Sequence, residues 1–101
     1  MNRETAAPAS TVTIVLDGDT DAGYLLARRL LAEGRRVAVV VRHVAEAARV
    51  MHGQSADRLM VIAADVDDRG QWGRVTERAI ERFGRIDAVV RAEGETLRAT
   101  A

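Results

Sequence analysis

Lysine and cysteine are both missing from this chain of 101 residues, and each absence limits its chemistry. All fifteen basic residues are arginines, so a mechanism that needs a lysine amine is excluded. Without cysteine, the chain forms no disulfide and no thiolate metal site. One Phe, one Tyr and one Trp are the whole aromatic content. The core must therefore be built from Val, Leu, Ile and Ala.

Charge and the lengths of the apolar runs indicate a small globular domain. The net charge is zero, which gives no electrostatic reason to expect a nucleic acid or an anionic membrane as a partner. No apolar run approaches the roughly 20 residues of a membrane span, and residues 1–11 lack the apolar core of a signal peptide. We expect a cytoplasmic protein with a flexible N-terminal segment over 1–11, one domain over 12–94 and a C-terminal tail over 95–101.

Short apolar runs alternate with segments of helical spacing. The runs are rich in Val and Ile and predict strands buried on both faces, at Val12–Leu16, Val37–Val41, Leu59–Ala64 and Ala88–Val90. Helical spacing predicts helices over Ala22–Glu33, Val44–Met51 and Gly70–Phe83, with Gly34 and Gly84 as C-terminal stops. The alternation predicts an α/β fold, a Rossmann-like three-layer half domain with parallel strands. Its strand order is either the 3-2-1-4 of dinucleotide-binding domains or an order that begins 2-1-3.

The turn after the first predicted strand reads Asp17-Gly18-Asp19-Thr20-Asp21-Ala22-Gly23. Glycines at this place allow a tight turn and a close approach to a pyrophosphate at the start of a helix. The aspartates oppose this, because one carboxylate about 6 Å from a phosphate charge costs roughly 3 kcal/mol at an effective dielectric near 20. The helix N-terminus returns about 0.3–1 kcal/mol. Unless the acids point away, repulsion dominates. The alternative interpretation is that Asp21 is a helix N-cap and the other acids are solvated turn residues.

Residues 81–94 read Glu-Arg-Phe-Gly-Arg-Ile-Asp-Ala-Val-Val-Arg-Ala-Glu-Gly. They resemble the short-chain dehydrogenase/reductase family, which has Phe-Gly-x-Ile-Asp-x-Leu-Val-Asn-Asn-Ala-Gly here. The resemblance extends over residues 12–94, the nucleotide-binding half of such a protein, and it implies the order 3-2-1-4. The family's catalytic Ser, Tyr and Lys lie further along the chain, so no catalytic residue is implied within this one. A truncated or split piece of a reductase is one of the functions that the resemblance leaves open.

The resemblance also implies a cofactor site at Gly18, Thr20, Gly23, Arg42, Asp65, Val66 and Gly94. The family's pattern in this loop is Thr-Gly-x-x-x-Gly-x-Gly. Here its Thr is Asp17, its middle glycine has no counterpart, and the loop is one residue shorter. The Asp65-Val66 pair matches one that contacts the adenine ring. Arg42 stands where NAD-binding folds have an acid, which favours NADP over NAD, unless it is an ordinary exposed loop arginine. The family's Asn-Asn-Ala-Gly becomes Arg91-Ala92-Glu93-Gly94 and keeps only the glycine. Asp67 or Asp68 should cap the next helix.

These observations predict a module that binds NADP weakly and performs no turnover by itself. Tyr24 lacks the Lys four residues later that the family uses for its acid. One alternative is a non-catalytic interaction module on a degenerate Rossmann fold. Another is a receiver-like acidic pocket, in which Asp65 or Asp67 joins the first loop's acids around Mg²⁺, as the 2-1-3 order would allow. The spacing of His43 and His52 predicts no zinc site.

The half fold also predicts a partner. The first two helices should cover one face of the sheet and the third should begin to cover the other, leaving strand four as an open edge beside a partly bare apolar face. Such edges and faces are normally paired or covered. We expect a homodimer, or a separate partner chain, joined through strand four and the face beside Trp72–Phe83.

Overall fold

The computed structural model describes residues 11–92 and the backbone of Thr96 and Leu97. Its elements in chain order are β1 (Val12–Leu16), α1 (Asp21–Ala32), β2 (Arg36–Val41), a 3-10 turn (Val44–Glu46), α2 (Ala47–Met51), β3 (Leu59–Ala63), α3 (Arg69–Phe83), β4 (Ala88–Arg91) and β5 (Thr96–Leu97). Each predicted strand and helix forms close to its predicted bounds, except that the segment 44–51 divides into the 3-10 turn and α2.

The strands form one sheet in the order β3-β2-β1-β4-β5. The first four are parallel in the order 3-2-1-4, which confirms the dinucleotide-binding arrangement and excludes the order beginning 2-1-3. β5 is antiparallel to β4 and pairs Leu97 with Val89 and Thr96 with Val90. The expectation of a fully open edge at strand four is therefore wrong, because the chain returns along it for two residues.

The central strands are buried on both faces, which explains their continuous apolar sequence. One core cluster includes Val12, Ile14 and Leu16 of β1 and packs against α3. Val15, with Val37 of β2, belongs to a second cluster under α1 and α2. Since side chains alternate across a strand, successive residues of β1 supply opposite layers. As predicted, α1 and α2 cover one face and α3 the other.

Helix ends follow the polar and glycine signals of the sequence. Gly34 and Gly84 follow α1 and α3 with φ values of 90° and 89°, a left-handed conformation that favours glycine. Asp68 caps α3 by accepting a hydrogen bond from the Gln71 N–H at 3.1 Å, as one of the two predicted caps. Within the described part of the chain, no helix is both long and apolar enough to cross a bilayer.

At the amino ends of the strands, Asp87 joins β1 to the approach to β4. Its Oδ2 accepts from the Val12 N–H at 2.8 Å, and its own N–H donates to Val12 O at 2.8 Å. Arg85 Nη2 donates to Asp87 Oδ1 at 2.6 Å. Burial by itself would raise the pKa of Asp87, but the hydrogen bonds from Arg85 and Val12 outweigh it, so the pKa lies below its ordinary value.

Candidate functional site

The candidate site is the crevice at the carboxyl ends of β1, β2 and β4. β2 lies on one side of β1 and β4 on the other, so the sequence order of the strands reverses at β1. Open parallel sheets bind ligands at such a switch point. The loop after β1, Arg42 after β2 and Arg91 at the end of β4 line one small cavity there. The structure thus brings residues from four separate parts of the chain together, since Val66 after β3 lines it too.

Gly18 and Gly23 allow the first loop to pack with no space for a side chain. A Cβ on Gly18 would lie 2.2 Å from Val39 Cγ1, and a Cβ on Gly23 would lie 2.0 Å from Asp17 O. The Gly18 N–H donates to Val40 O at 2.8 Å and ties the loop to β2. Both glycines hold the loop against the sheet and the helix. Their contact with a cofactor stays a prediction.

Thr20, not Asp21, caps α1. The Thr20 hydroxyl accepts from the Gly23 N–H at 3.0 Å and donates to Asp17 O at 2.8 Å. The predicted N-cap at Asp21 is wrong by one residue, because a threonine hydroxyl satisfies a donor and an acceptor of the loop at once, which a carboxylate cannot. This hydroxyl is therefore engaged by the loop, and a cofactor contact there would replace a cap bond.

Two of the loop aspartates contact residues at the carboxyl ends of the neighbouring strands β4 and β2. Asp17 Oδ2 lies 3.5 Å from Arg91 Nη1 at the end of β4. Asp19 Oδ2 accepts a hydrogen bond from the Arg42 backbone N–H at 3.3 Å. Asp17 has a φ of 59°, a left-handed conformation that aspartate tolerates better than most residues. The repulsion predicted for a phosphate at this loop is thus partly offset by Arg91.

The third acid points out of the crevice. Asp21 Oδ1 lies 2.7 Å from Arg49 Nη2 on α2, and this hydrogen bond raises the pKa of the Arg49 guanidinium above its ordinary value. The same guanidinium lies 4.2 Å from the centre of the Tyr24 ring. Asp21 and Tyr24 therefore belong to an α1–α2 contact, and neither lines the crevice. The prediction that Asp21 would repel a bound phosphate is weakened accordingly.

Arg42 directly follows β2, beside the first loop. Its backbone is held by Asp19, while its guanidinium Nη2 lies 4.0 Å from Asp67 Oδ2 with the side chain 56% exposed. A pair that long and that exposed is weak. The guanidinium is therefore available to a phosphate added at the crevice.

The Asp65–Val66 pair forms the turn between β3 and α3. Asp65 Oδ1 accepts from the Asp67 N–H at 2.9 Å, and the Asp65 N–H donates to Gln71 Oε1 at 2.8 Å. The Asp65 carboxylate thus stabilises its own turn. Val66 is half-buried and lines the crevice together with Arg42. Contact of this pair with an adenine ring stays a prediction.

The receiver-like alternative is wrong because of the strand order. β2 separates β1 from β3, so the acids after β1 and those after β3 do not form one cluster. Among the described residues, no group of three or more His, Asp or Glu side chains could hold a metal ion.

Arg91 is the crevice residue that the sequence analysis missed as a functional candidate. The register aligns it with Leu16, the residue before Asp17. Two departures from the family pattern, Asp for Thr and Arg for Asn, are therefore neighbours with opposite charges. That complementarity was the available signal, but it becomes visible only when β1 and β4 are placed side by side. Gly94, the other residue predicted from this motif, lies outside the described residues.

The donor set of the crevice fits phosphate groups, whereas its space is small. Two cations, Arg42 and Arg91, line the crevice. The cavity between them measures about 20 Å³, whereas small-molecule sites usually enclose about 300–1,000 Å³. A dinucleotide would have to separate the ion pairs Asp17–Arg91 and Arg42–Asp67 to enter.

Known proteins match this chain over most of its length. The family model for short chain dehydrogenases matches residues 11–100. The 2-(R)-hydroxypropyl-CoM dehydrogenase of Xanthobacter autotrophicus is 34% identical over 90 residues, which cover 86% of this chain and 36% of that protein. The chain thus spans about a third of the length of this curated relative.

Two solved structures with bound nucleotides share the fold. The 3-ketoacyl-(acyl-carrier-protein) reductase from Brucella melitensis complexed with NADH is 28% identical with a TM-score of 0.71, covering 78% of this chain and 32% of that chain. The C-domain of a bacterial malonyl-CoA reductase with NADP is 25% identical with a TM-score of 0.71, covering 84% of this chain and 15% of that chain.

Proposed function

The chain belongs to the short-chain dehydrogenase family, and we propose that it is an oxidoreductase-like module that binds NADP(H) weakly and in preference to NAD(H). The observation that carries this proposal is the position of Arg42, which lies next to the glycine loop at the end of β2 with 56% of its side chain exposed. At this place an acid would bind a ribose 2′-hydroxyl, while an arginine suits a 2′-phosphate. The relatives with NADH and with NADP support a nucleotide but not the choice between them.

Weak binding follows from the charges in the crevice. The carboxylates of Asp17, Asp19 and Asp67 line the same cavity as Arg42 and Arg91. A phosphate must compete with these acids for the guanidinium groups, and each exposed pair that it breaks costs up to about 1 kcal/mol. We expect dissociation constants nearer millimolar than micromolar.

Titrations with NADP⁺ and NAD⁺, followed by calorimetry or amide NMR, test the cofactor choice. Arg42→Gln should weaken NADP⁺ binding roughly tenfold, because a hydrogen-bonded charge is lost, and should leave NAD⁺ binding unchanged. Arg58→Gln is the matched control, since it removes the same charge from an exposed side chain before β3. Equal or tighter binding of NAD⁺ by the unmodified protein would contradict the role of Arg42.

We also propose that the chain performs no carbonyl reduction by itself. The family's acid is a tyrosine whose pKa is lowered by a lysine. Here the single tyrosine, Tyr24, is stacked on Arg49 outside the crevice, and no lysine exists. NADPH oxidation by purified protein with a panel of ketones and aldehydes should stay at the background rate. Turnover that disappears in Arg42→Gln would contradict this proposal.

For the partner, we propose a homodimer that uses the α3 face beside β4. A cavity of about 240 Å³ opens there between Leu16, Val66, Trp72 and Val89, and Ile80 on α3 is 50% exposed. β5 pairs with only two residues of β4. The net charge of zero imposes no overall repulsion between two copies.

Sedimentation at micromolar concentration tests the dimer. Ile80→Arg should dissociate it, whereas Leu25→Arg, on the opposite face at a position that is 62% exposed, should not. A monomeric protein would contradict the proposal. Dissociation by Leu25→Arg alone would show that the other face is the interface.

A further inference from the structure

Arg91 stands at the point where three spaces of the molecule meet. It lines the crevice of about 20 Å³, the cavity of about 240 Å³ on the α3 face and a groove of about 740 Å³ beside α1. The crevice between β1 and β4 is the switch point of the sheet, where the pyrophosphate of a dinucleotide lies at the start of the first helix. The strand register aligns Arg91 with Leu16, and its guanidinium lies 3.5 Å from Asp17 at the start of the first loop.

Most N–H donors of the Arg91 guanidinium are not used in its contact with Asp17. Within residues 11–92, its one side-chain polar contact is with Asp17 Oδ2 at 3.5 Å, and its side chain is 38% exposed. Strong charge-assisted hydrogen bonds are shorter, about 2.7–2.9 Å. Because a guanidinium carries five N–H donors in a fork that suits paired oxygen acceptors, this side chain can bind a phosphate group with most of its donors.

We propose that Arg91 binds the pyrophosphate of the cofactor and that Asp17 competes with the ligand for it. This inference rests on the proposed function and extends it. The two arginines then bind different parts of the ligand: Arg42 binds the 2′-phosphate and Arg91 binds the diphosphate. The asparagine of the family pattern is replaced by a cation that compensates for the acids of the first loop. In the free protein, Asp17 holds Arg91 at the crevice and limits the affinity.

Two small ligands separate the two arginines. ADP carries a diphosphate and no 2′-phosphate, while 2′-AMP carries a 2′-phosphate and no diphosphate. The titrations are done in about 0.15 M salt, where charges are screened beyond about 8 Å. Arg91→Gln should weaken ADP binding roughly tenfold and 2′-AMP binding by less than about twofold. Arg42→Gln should do the reverse. Asp17→Asn should tighten ADP by roughly threefold or more, because it removes the competing carboxylate.

Each outcome decides between the two proposals. If ADP affinity is the same in Arg91→Gln and in the unmodified protein, the inference is overturned while the Arg42 site stands. If Arg91→Gln weakens both ligands equally, Arg91 has no specific diphosphate contact, and the inference is again overturned. If ADP, 2′-AMP and NADP⁺ all fail to bind the unmodified protein, both the inference and the proposed function are overturned. Thermal unfolding shows whether each variant is folded. If Arg91→Gln does not fold, Asp17→Asn decides, and unchanged ADP affinity in that variant overturns the inference.

Discussion

The two ends of the sheet are both held by charged side chains, but with different geometry. At the amino ends, Asp87 accepts from Val12 at 2.8 Å and from Arg85 at 2.6 Å. At the carboxyl ends, the ion pairs Asp17–Arg91 and Arg42–Asp67 measure 3.5 and 4.0 Å. Short charge-assisted hydrogen bonds are the strong ones. The amino end is therefore fixed by its charges, whereas charges at the carboxyl end can exchange partners at low cost, as a binding site requires.

Among the variants that test this comparison, a substitution in the first loop should change the free energy of unfolding most. The backbone of this loop is tightly packed, although the ion pairs beside it are long. Gly23→Ala should destabilise the protein by about 3 kcal/mol, because the new Cβ would lie 2.0 Å from Asp17 O. Gly73→Ala on α3 is the control, since a Cβ there meets nothing within 4 Å, and it should stabilise by about 0.5–1 kcal/mol. Denaturant unfolding of both variants measures the contrast. A loss below about 1 kcal/mol for Gly23→Ala would show that the loop moves away easily.

Removing the charge of Asp87 at the amino ends of the strands should have the next largest effect on the free energy of unfolding. Asp87→Asn should cost about 1.5 kcal/mol, because the amide keeps an acceptor for Val12 but loses the ion pair with Arg85. Asp57→Asn, at an exposed turn before β3, should change the free energy of unfolding by less than about 0.5 kcal/mol.

Asp87 should also make the stability of the protein depend on pH, and the direction of that dependence follows from its pKa. The pKa of Asp87 is lower in the folded protein than in the unfolded chain, where it is about 3.9. Its stabilisation is therefore fully present above about pH 5 and is lost as the pH falls through the folded value. The stability difference between the unmodified protein and Asp87→Asn should stay constant from pH 7 to pH 5 and shrink below about pH 4. A difference that grows in acid would contradict the assigned partners.

The smallest effect should be that of Asp17→Asn on stability. Asparagine accepts the left-handed φ of 59° as readily as aspartate, and an ion pair of 3.5 Å between partly exposed side chains contributes about 0–1 kcal/mol. We expect a change within about 0.5 kcal/mol in denaturant unfolding. A cost near that of Asp87→Asn would show that both ends of the sheet are equally fixed.

Local patterns were sufficient for the sheet and its helices. The apolar runs of β1 and β2 predict strands because both faces are covered, and Gly84 ends α3 where the sequence says it should. The cap of α1 was misplaced, because Asp21 and Thr20 are both good caps and only the loop geometry separates them. The return of the chain as β5 carries no periodicity in two residues.

Only part of the candidate site was predictable from the sequence. Gly18 and Arg42 each follow a strand, so the topology alone brings them to one edge. The Asp17–Arg91 pair depends on the register of β1 against β4, which no local pattern contains. The residues that directly follow a strand were therefore predictable from the sequence, whereas the pair between the first loop and the end of β4 was not.

The pairing of β4 with β1 also has a consequence for how the crevice forms in time. The contact between Val12 and Asp87 closes a loop of 75 residues, while β1 and β2 meet across a single helix. Loop-closure entropy delays the distant contact, so we expect the unit of β1, β2 and β3 to assemble first and β4 to dock last. The last element to dock should also be the first to open. Amide hydrogen exchange of Val89 and Val90 should therefore report undocking of β4, and a dinucleotide held by Arg91 should slow that exchange before it changes the global unfolding transition.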